Sequence, residues 1–192
     1  MSGTQTSSDE EGLSILDYFE SYYHVPLLLG AVAFMLWTRL RSYGNFIQDG
    51  EVYFRGNDPW YHLRETTYLM ENWPTTLPFD PWTGFPFGRS AGQFGTLWDH
   101  IMAVSIWIAK PIMGSTEEVM LVMAPIAGAL VAIPTYLIAR RFAGRVAALG
   151  GAVVLALLPG TFFSYSLVGF PDHSAAEVLF QSLAVLAFLV AF

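Results

Sequence analysis

Four long stretches of the chain are nearly free of charge, and they constrain the fold more than any other feature of the sequence. They cover residues 22–43, 118–140, 146–163 and 175–192. A helix needs about 20 mostly apolar residues to cross the hydrocarbon core of a bilayer. We therefore predict an all-α, polytopic membrane protein with about four transmembrane helices. The last stretch is still apolar at Phe192, so we expect the sequence to be a fragment that stops inside its fourth span.

The composition supports a membrane protein and excludes several classes of function. Hydrophobic residues make up 54% of the chain and charged residues only 13%, which is little charge for the surface of a soluble domain. The net charge of −7 argues against nucleic acid as a partner. The chain has no cysteine, which excludes disulfides, thiolate zinc sites and thiol catalysis. We predict that the acidic head, residues 1–21, is disordered and cytoplasmic.

A dense group of arginines sets the predicted orientation. Three arginines lie in or next to the short loop 141–145, and the positive-inside rule places that loop in the cytoplasm. The long loop 44–117 and the short loop 164–174 then both face the outside. The two loops face the same side only if the apolar stretch 97–113 does not cross the membrane. We therefore predict an interfacial or re-entrant helix there. Arg39 then lies near the outer side, where we expect its side chain to snorkel.

The first outer loop contains the pattern of an amphipathic helix. Asp58 and Pro59 are typical of a helix start, with Asp as the capping residue and Pro at the first helical position. Apolar residues then recur at three- and four-residue spacing until Pro74, which ends the pattern. This loop is therefore predicted to be structured.

Several polar and aromatic residues of this loop have a simple structural interpretation. We expect Arg64 and Glu65 on the solvated face of the helix, and His62 at a surface or interface. Asp99 is interpreted as a polar anchor at the membrane interface. The aromatic segment 79–87 is expected to serve packing rather than sugar stacking.

Two acidic segments face the same side of the membrane in this topology. The first, 56–61, contains Asp58; the second, 169–174, contains Asp172 and is followed one turn later by Glu177. Carboxylates from separate loops that converge on one Mg²⁺ or Mn²⁺ ion could hold a phosphate-linked substrate. Both aspartates also stand where a helix would begin, so capping is the competing interpretation. The two roles are compatible, because a capping carboxylate keeps one oxygen free.

Several separate motifs resemble the catalytic subunit of oligosaccharyltransferase, the STT3/AglB/PglB family, and its archaeal members in particular. The run 57–64, Asn-Asp-Pro-Trp-Tyr-His-Leu-Arg, resembles the first-loop signature of the family. The run 169–173, Gly-Phe-Pro-Asp-His, stands in the place of the second acidic motif. Segments 79–88 and 97–99 are also similar, and the order of the motifs matches from about Val25 onward. The acidic head and the preference for Arg over Lys suggest a haloarchaeal source.

The resemblance implies a GT-C type transmembrane helix bundle and a glycosyltransferase. Members of the family transfer an oligosaccharide from a dolichol-linked phosphate or pyrophosphate donor to Asn in Asn-X-Ser/Thr, with inversion and with a divalent cation. The match implies that Asp58 contacts the metal and engages the acceptor amide, and that Asp172 is a metal ligand. Further candidate metal ligands are His173, Ser174 and Glu177. Further candidate substrate-binding residues are Trp60, Tyr61 and Arg64.

One position departs from the family pattern. Ser174 occupies the third position of the second motif, where Asp, Glu or His is usual, and serine is a poorer ligand for a divalent cation. Either His173 or Glu177 takes part instead, or metal binding is weaker, or the chain is a divergent paralogue; we favour the last two. The third acidic motif and the WWDYG-type motif of the family do not occur in these 192 residues. We therefore expect the segment alone to be inactive.

Two other functions remain open at this point. The chain could belong to another GT-C glycosyltransferase, such as a protein O-mannosyltransferase, or it could be an inactive paralogue or a transporter-like membrane protein. Transporters place ionisable residues inside their spans, whereas the acids of this chain cluster in loops. The second acidic motif, together with Asp-Pro-Trp-Tyr, fits the Asn-directed family better than the O-mannosyltransferases.

Overall fold

A computed structural model describes residues 21–90 and 96–192, and its fold is helical. The predicted head therefore lies almost entirely outside the described residues. The helices of the described part are α1 (His24–Leu40), α2 (Asp58–Glu71), α3 (Leu97–Met113), α4 (Thr116–Leu130), α5 (Ala132–Leu157), α6 (Thr161–Tyr165) and α7 (Ser174–Ala191). A 3-10 turn (Tyr43–Phe46) and a short hairpin of β1 (Ile47–Gln48) and β2 (Glu51–Val52) connect α1 to α2.

Three helical runs of the described residues are long and apolar enough to cross a membrane, namely His24–Phe46, Thr116–Leu157 and Ser174–Ala191. The middle run has 42 residues, about twice the length of one crossing. Gly144 interrupts its helical geometry with φ 77° and ψ 178°, inside the predicted loop 141–145. The predicted all-α membrane fold is confirmed, and two crossings by this run remain a prediction.

The apolar stretch that was predicted to be interfacial forms α3, with the predicted bounds. It packs against α2 on one side and α4 on the other. Its buried side chains, among them Met102 and Ile106, join the main core with α4 and α7. This packing places the first turn of α3, and with it Asp99, directly against α2. Whether α3 lies at the interface or crosses the membrane stays a prediction.

Arg39 does not snorkel; it is fully buried at the end of α1. Its Nε donates a hydrogen bond to Ser166 Oγ at 2.8 Å, and its guanidinium carbon lies 5.4 and 5.3 Å from the ring centres of Phe162 and Phe163. The backbone N–H of Val168 donates to the Arg39 carbonyl at 3.2 Å. The expectation of snorkelling was wrong because Ser166, Phe162 and Phe163 enclose the side chain. These residues are distant in sequence, so the local pattern around Arg39 did not reveal them. The buried arginine ties α1 to the segment that leads to the second acidic motif.

Candidate metal centre

Three side chains converge at the end of the bundle that carries residues 44–117 and 164–174. His62 of α2 places its Nε2 atom 3.2 Å from His173 Nδ1 and 3.5 Å from Asp172 Oδ1. His173 Nδ1 lies 2.9 Å from Asp172 Oδ1. One ligand atom of each residue lies within 4.8 Å of the others. Ligands bound about 2 Å from one cation lie roughly 3 Å apart, so this spacing fits a single metal ion.

A buried carboxylate orients His62. Asp99 is fully buried, and its Oδ1 atom lies 2.7 Å from His62 Nδ1. A carboxylate only accepts hydrogen bonds, so the hydrogen of this bond lies on Nδ1. In the neutral ring, Nε2 then carries the lone pair and points towards Asp172 and His173. Metal-ligating histidines usually donate their other N–H group to a carboxylate in this way.

Asp172 is held by the start of α7. Its Oδ2 atom accepts hydrogen bonds from the backbone N–H of Ser174 at 3.1 Å and from the Ser174 hydroxyl. Its Oδ1 atom is buried and faces the imidazole nitrogens of His173, at 2.9 Å, and His62, at 3.5 Å. The carboxylate thus satisfies the first turn of α7 with one oxygen and keeps the other available, and Ser174 acts as a support for Asp172. Glu177 is exposed, 3.7 Å from His173 Nε2.

The electrostatics of the cluster favour positive charge at its centre. Burial lowers the pKa of His62, but the carboxylates of Asp172 and Asp99 outweigh burial and raise that pKa to about 9. The Asp172 carboxylate also raises the pKa of His173. Burial raises the pKa of Asp172, but the two imidazoles and the Ser174 hydroxyl outweigh it and hold the pKa well below its ordinary value. A cation bound here would replace a proton on an imidazole.

The remaining candidates from the sequence surround a cavity of about 660 Å³ beside this cluster. Its lining consists of the glycine Gly84 and of polar, charged and aromatic residues: Asn57, Asp58, Trp60, Tyr61, His62, Arg64, Trp82, Thr83 and His173. Asp58 is exposed and is the first residue of α2. The expected cap was wrong, because the capping position falls on Asn57, which makes no side-chain capping hydrogen bond. Asp58 lies one turn before His62 and therefore on the same helix face.

The expected surface positions of His62 and Glu65 were wrong, because both side chains are buried. Glu65 Oε1 accepts a hydrogen bond from the backbone N–H of Leu77 at 3.0 Å, and burial raises the pKa of Glu65 to about 7. One signal could have identified the partnership of His62. Asp99 stands inside an apolar stretch, and a charge in such a place needs a partner.

Arg64 is also more constrained than a solvated helix face would allow. Its Nη2 and Nε atoms donate to the two carboxylate oxygens of Asp80, at 2.5 and 3.2 Å. Its Nη1 atom donates to the Trp60 carbonyl at 3.0 Å. Burial raises the pKa of Asp80, but the hydrogen bonds from Arg64, Thr83 and Trp82 outweigh it and lower that pKa. Arg64 therefore joins α2 to the aromatic segment that follows.

The aromatic segment does not pack into the core as expected. The side chains of Trp82, Phe85 and Phe87 are 66%, 72% and 88% exposed. The turn that carries them is closed by a backbone bridge between Asp80 and Arg89, with N–H···O distances of 2.8 and 3.0 Å. The expectation that the aromatic rings would serve packing was wrong. The buried residue that holds this turn together is the charged Asp80, whereas the aromatic rings are exposed.

A set of contacts around Arg55 joins the two acidic segments. The Arg55 backbone N–H donates to the Gly169 carbonyl at 2.7 Å, and Arg55 Nη2 donates to the Ser164 carbonyl at 2.7 Å. The guanidinium carbon also lies 5.2 Å from the ring centre of Phe170. Gly169 has φ 87°, and a Cβ atom there would lie 2.1 Å from the Phe46 ring. These contacts hold the segments of Asp58 and Asp172 in a defined relative position.

Comparison with known proteins identifies the family. Residues 28–192 match the family model for the oligosaccharyl transferase STT3, N-terminal. The chain belongs to this family. Over 181 residues it is 50% identical to the dolichyl-monophosphooligosaccharide–protein glycotransferase AglB of Haloferax volcanii, an alignment that covers 93% of this chain and 17% of that protein. It is 31% identical to the dolichyl-phosphooligosaccharide-protein glycotransferase 3 of Archaeoglobus fulgidus over 176 residues, 91% of this chain and 20% of that protein.

Solved structures of the STT3 family agree with the fold. The Archaeoglobus fulgidus oligosaccharyltransferase in its apo form matches with a TM-score of 0.78 and 30% identity, over 91% of this chain and 20% of the other. A structure of the same protein in complex with Zn and sulfate matches with a TM-score of 0.75 and 30% identity, over 86% of this chain and 21% of the other. The chain spans about a fifth of the length of the relatives it matches. The predicted GT-C type membrane fold is confirmed.

Proposed function

We propose that this chain forms the N-terminal part of an oligosaccharyltransferase that transfers an oligosaccharide from a dolichol-phosphate-type lipid donor to Asn in Asn-X-Ser/Thr, with inversion. The observation that carries the proposal is the convergence of His62, Asp172 and His173 beside a cavity that Asp58 lines. Structures of the Archaeoglobus fulgidus protein with an acceptor peptide containing the NVT sequon and with a dolichol-phosphate support the two substrates. Because the chain is a fifth of its relatives, we expect the isolated segment to be inactive.

The proposed cofactor is a divalent cation held by His62, Asp172 and His173. The site fits such an ion, because the buried Asp172 Oδ1 atom faces two imidazole nitrogens, His173 Nδ1 at 2.9 Å and His62 Nε2 at 3.5 Å. Two imidazoles and one carboxylate suit Mn²⁺ or Zn²⁺ better than Mg²⁺, which prefers oxygen ligands. When bound, the cation supplies Lewis-acid stabilisation of the negative charge on the departing lipid phosphate. In this proposal, His173 supplies the ligand that Ser174 does not provide. From the sequence, we had favoured weaker metal binding or a divergent paralogue.

The other residues of the site have supporting or substrate-facing roles in this proposal. Asp99 fixes the tautomer and the direction of His62, and Ser174 holds Asp172. Asp58, at the cavity wall, engages the acceptor amide, as the family resemblance implies. Trp60 and Tyr61 line the path of the substrate. Arg64 is assigned to holding the aromatic turn, because three of its five N–H donors bind Asp80 and the Trp60 carbonyl.

We propose that the protein is a multi-pass protein of the cell membrane, with both acidic segments on the extracellular face. The three arginines around the break at Gly144 support this orientation, since basic loops remain in the cytoplasm. The donor and the acceptor would then meet at the outer surface of the membrane.

The proposal is tested with the whole protein, a lipid-linked oligosaccharide donor and an Asn-X-Thr peptide. We expect transfer that stops after metal chelation, returns with Mn²⁺, and is lost in Asp172→Ala and His62→Ala. A peptide with Gln in place of Asn is the control, because glycosylation of that peptide would indicate an O-linked transferase. Full transfer by chelated protein, or by Asp172→Ala, would rule out the metal-dependent mechanism.

A further inference from the structure

We propose that Trp82 forms a sugar-stacking subsite for the first sugar of the lipid-linked donor, the residue next to its phosphate. This inference rests on the proposed function and deepens it. It starts from an exposed aromatic side chain that lines the same cavity as His173.

The turn that carries Trp82 is built around one buried carboxylate. Asp80 is 1% exposed, and it accepts hydrogen bonds from the Trp82 backbone N–H at 3.0 Å and from the Thr83 hydroxyl at 2.6 Å. Arg64 binds both of its oxygens from α2. The backbone of Trp82 is therefore fixed relative to α2, the helix that also supplies His62. An exposed tryptophan on a fixed backbone has few conformations to lose when it binds a ligand.

The indole ring of Trp82 stacks on a neighbouring ring and is still largely exposed. Its ring centre lies 6.2 Å from that of Phe85, and the planes of the two rings differ by 17°. Phe85 therefore stacks on the indole with an offset. Trp82 is nevertheless 66% exposed, so much of its ring surface is open to a ligand. A flat apolar surface of this kind suits the C–H face of a pyranose ring.

The rest of the cavity supplies the polar groups that a sugar needs. Asn57, Tyr61 and Thr83 line it together with Trp82. Sites for small polar ligands combine apolar and aromatic walls with a few directed polar groups. His173, a proposed metal ligand, belongs to the same wall. A phosphate at the metal centre would therefore lie beside the cavity that Trp82 lines, and that cavity is within reach of its attached sugar.

A sharp test compares two ligands and three variants of the whole protein. The ligands are a short-chain polyprenyl phosphate that carries one hexose and the same lipid phosphate without a sugar. The variants are Trp82→Ala, Trp82→Tyr, which keeps an aromatic ring, and Phe87→Ala, a control on the same turn that does not line the cavity. Binding of both ligands is measured directly, so the result does not require turnover.

The subsite predicts a specific pattern. Trp82→Ala should weaken binding of the hexose-bearing lipid about tenfold, the size of one lost stacking contact, and leave binding of the sugar-free lipid unchanged. Trp82→Tyr should restore most of the affinity, and Phe87→Ala should match the wild type for both ligands. In the transfer assay, Trp82→Ala should raise the KM for the donor and change kcat little.

Three outcomes would overturn the proposal. Unchanged affinity of Trp82→Ala for the hexose-bearing lipid would show that the ring does not bind sugar. An equal loss for the sugar-free lipid would assign the ring to the lipid chain. An equal loss in Phe87→Ala would make the turn an apolar membrane anchor. A wild-type protein that binds the two lipids differently through Trp82 but glycosylates no peptide would contradict the proposed function and leave the subsite in place.

Discussion

At the scale of single residues, the most informative arrangement is the pair of Asp99 and His62. Sequence reasoning identified Asp172 and His173 from a motif, because their neighbours in the chain carry the signal. It assigned His62 to a surface and Asp99 to an anchor, because the two residues are 37 positions apart and only the packing of α3 on α2 brings them together. Local patterns describe a helix face well, but they do not reveal which buried group from another helix meets it.

We expect Asp99→Asn to weaken the metal site while preserving the fold. The asparagine amide has the size of the carboxylate but can donate a hydrogen bond to His62 Nδ1, which would move the ring hydrogen to Nε2 and remove the ligating lone pair. Loss of such an outer partner typically lowers metal affinity or activity about 10- to 100-fold. Titration of the whole protein with Mn²⁺ measures the dissociation constant.

Glu71→Gln is the matched control for this substitution, since Glu71 is an exposed carboxylate at the end of α2. The melting temperature without metal should be similar in both variants and in the wild type. Equal Mn²⁺ affinity in Asp99→Asn and the wild type would refute the orienting role of Asp99.

At the scale of elements, the bounds of α3 were predicted but its packing partners were not. The apolar stretch 97–113 became α3 with those limits, because Thr96 and Gly114 flank a continuous helical pattern. The aromatic turn was misjudged because its stability comes from the Asp80–Arg64 pair, which a count of apolar residues cannot detect. Likewise, nothing in the local sequence showed that Arg55 binds the segment of the second acidic motif.

We expect Gly169→Ala to disturb the joint between the two acidic segments. Its φ of 87° lies in a region that costs an alanine about 1–2 kcal/mol, and the new Cβ atom would overlap with the Phe46 ring. Relief of this overlap must displace the Phe46 ring or the backbone of Gly169, whose carbonyl accepts the hydrogen bond from Arg55 and which leads to Asp172. The expected result is a lower melting temperature and a loss of transfer activity in the whole protein.

Gly150→Ala is the control for the glycine substitution, since a Cβ atom there meets nothing within 4 Å and the backbone is helical. It should leave the melting temperature and the transfer rate unchanged or slightly improved. If Gly169→Ala were as active and as stable as Gly150→Ala, the joint would not depend on this close approach.

At the scale of the whole molecule, hydropathy predicted the membrane fold but did not by itself count the crossings. Long apolar stretches identify spans because a bilayer offers no partner for exposed backbone groups, so the chain must form helices there. The run Thr116–Leu157 is nevertheless continuous in apolar length. Only the arginines near Gly144 divide it, and the structure has a break in helical geometry at the same place. The arginines in the sequence thus marked the position of this break in helical geometry.

The absence of cysteine from the 192 residues allows a direct test of this topology. Single cysteines at Ser90, Ala143 and Thr161, in a whole protein freed of any other cysteine, are labelled with a membrane-impermeant maleimide in intact cells. All three positions are exposed. Two crossings by Thr116–Leu157 predict labelling of Ser90→Cys and Thr161→Cys from outside, and labelling of Ala143→Cys only after permeabilisation.

Labelling of Ala143→Cys in intact cells would reverse the orientation. Protection of Thr161→Cys together with Ala143→Cys would mean that the 42-residue run crosses once, so that the second acidic motif could not share a membrane face with the first. That result would also contradict the convergence of His62 with Asp172, so the same three labels test the topology and the geometry on which the metal centre depends.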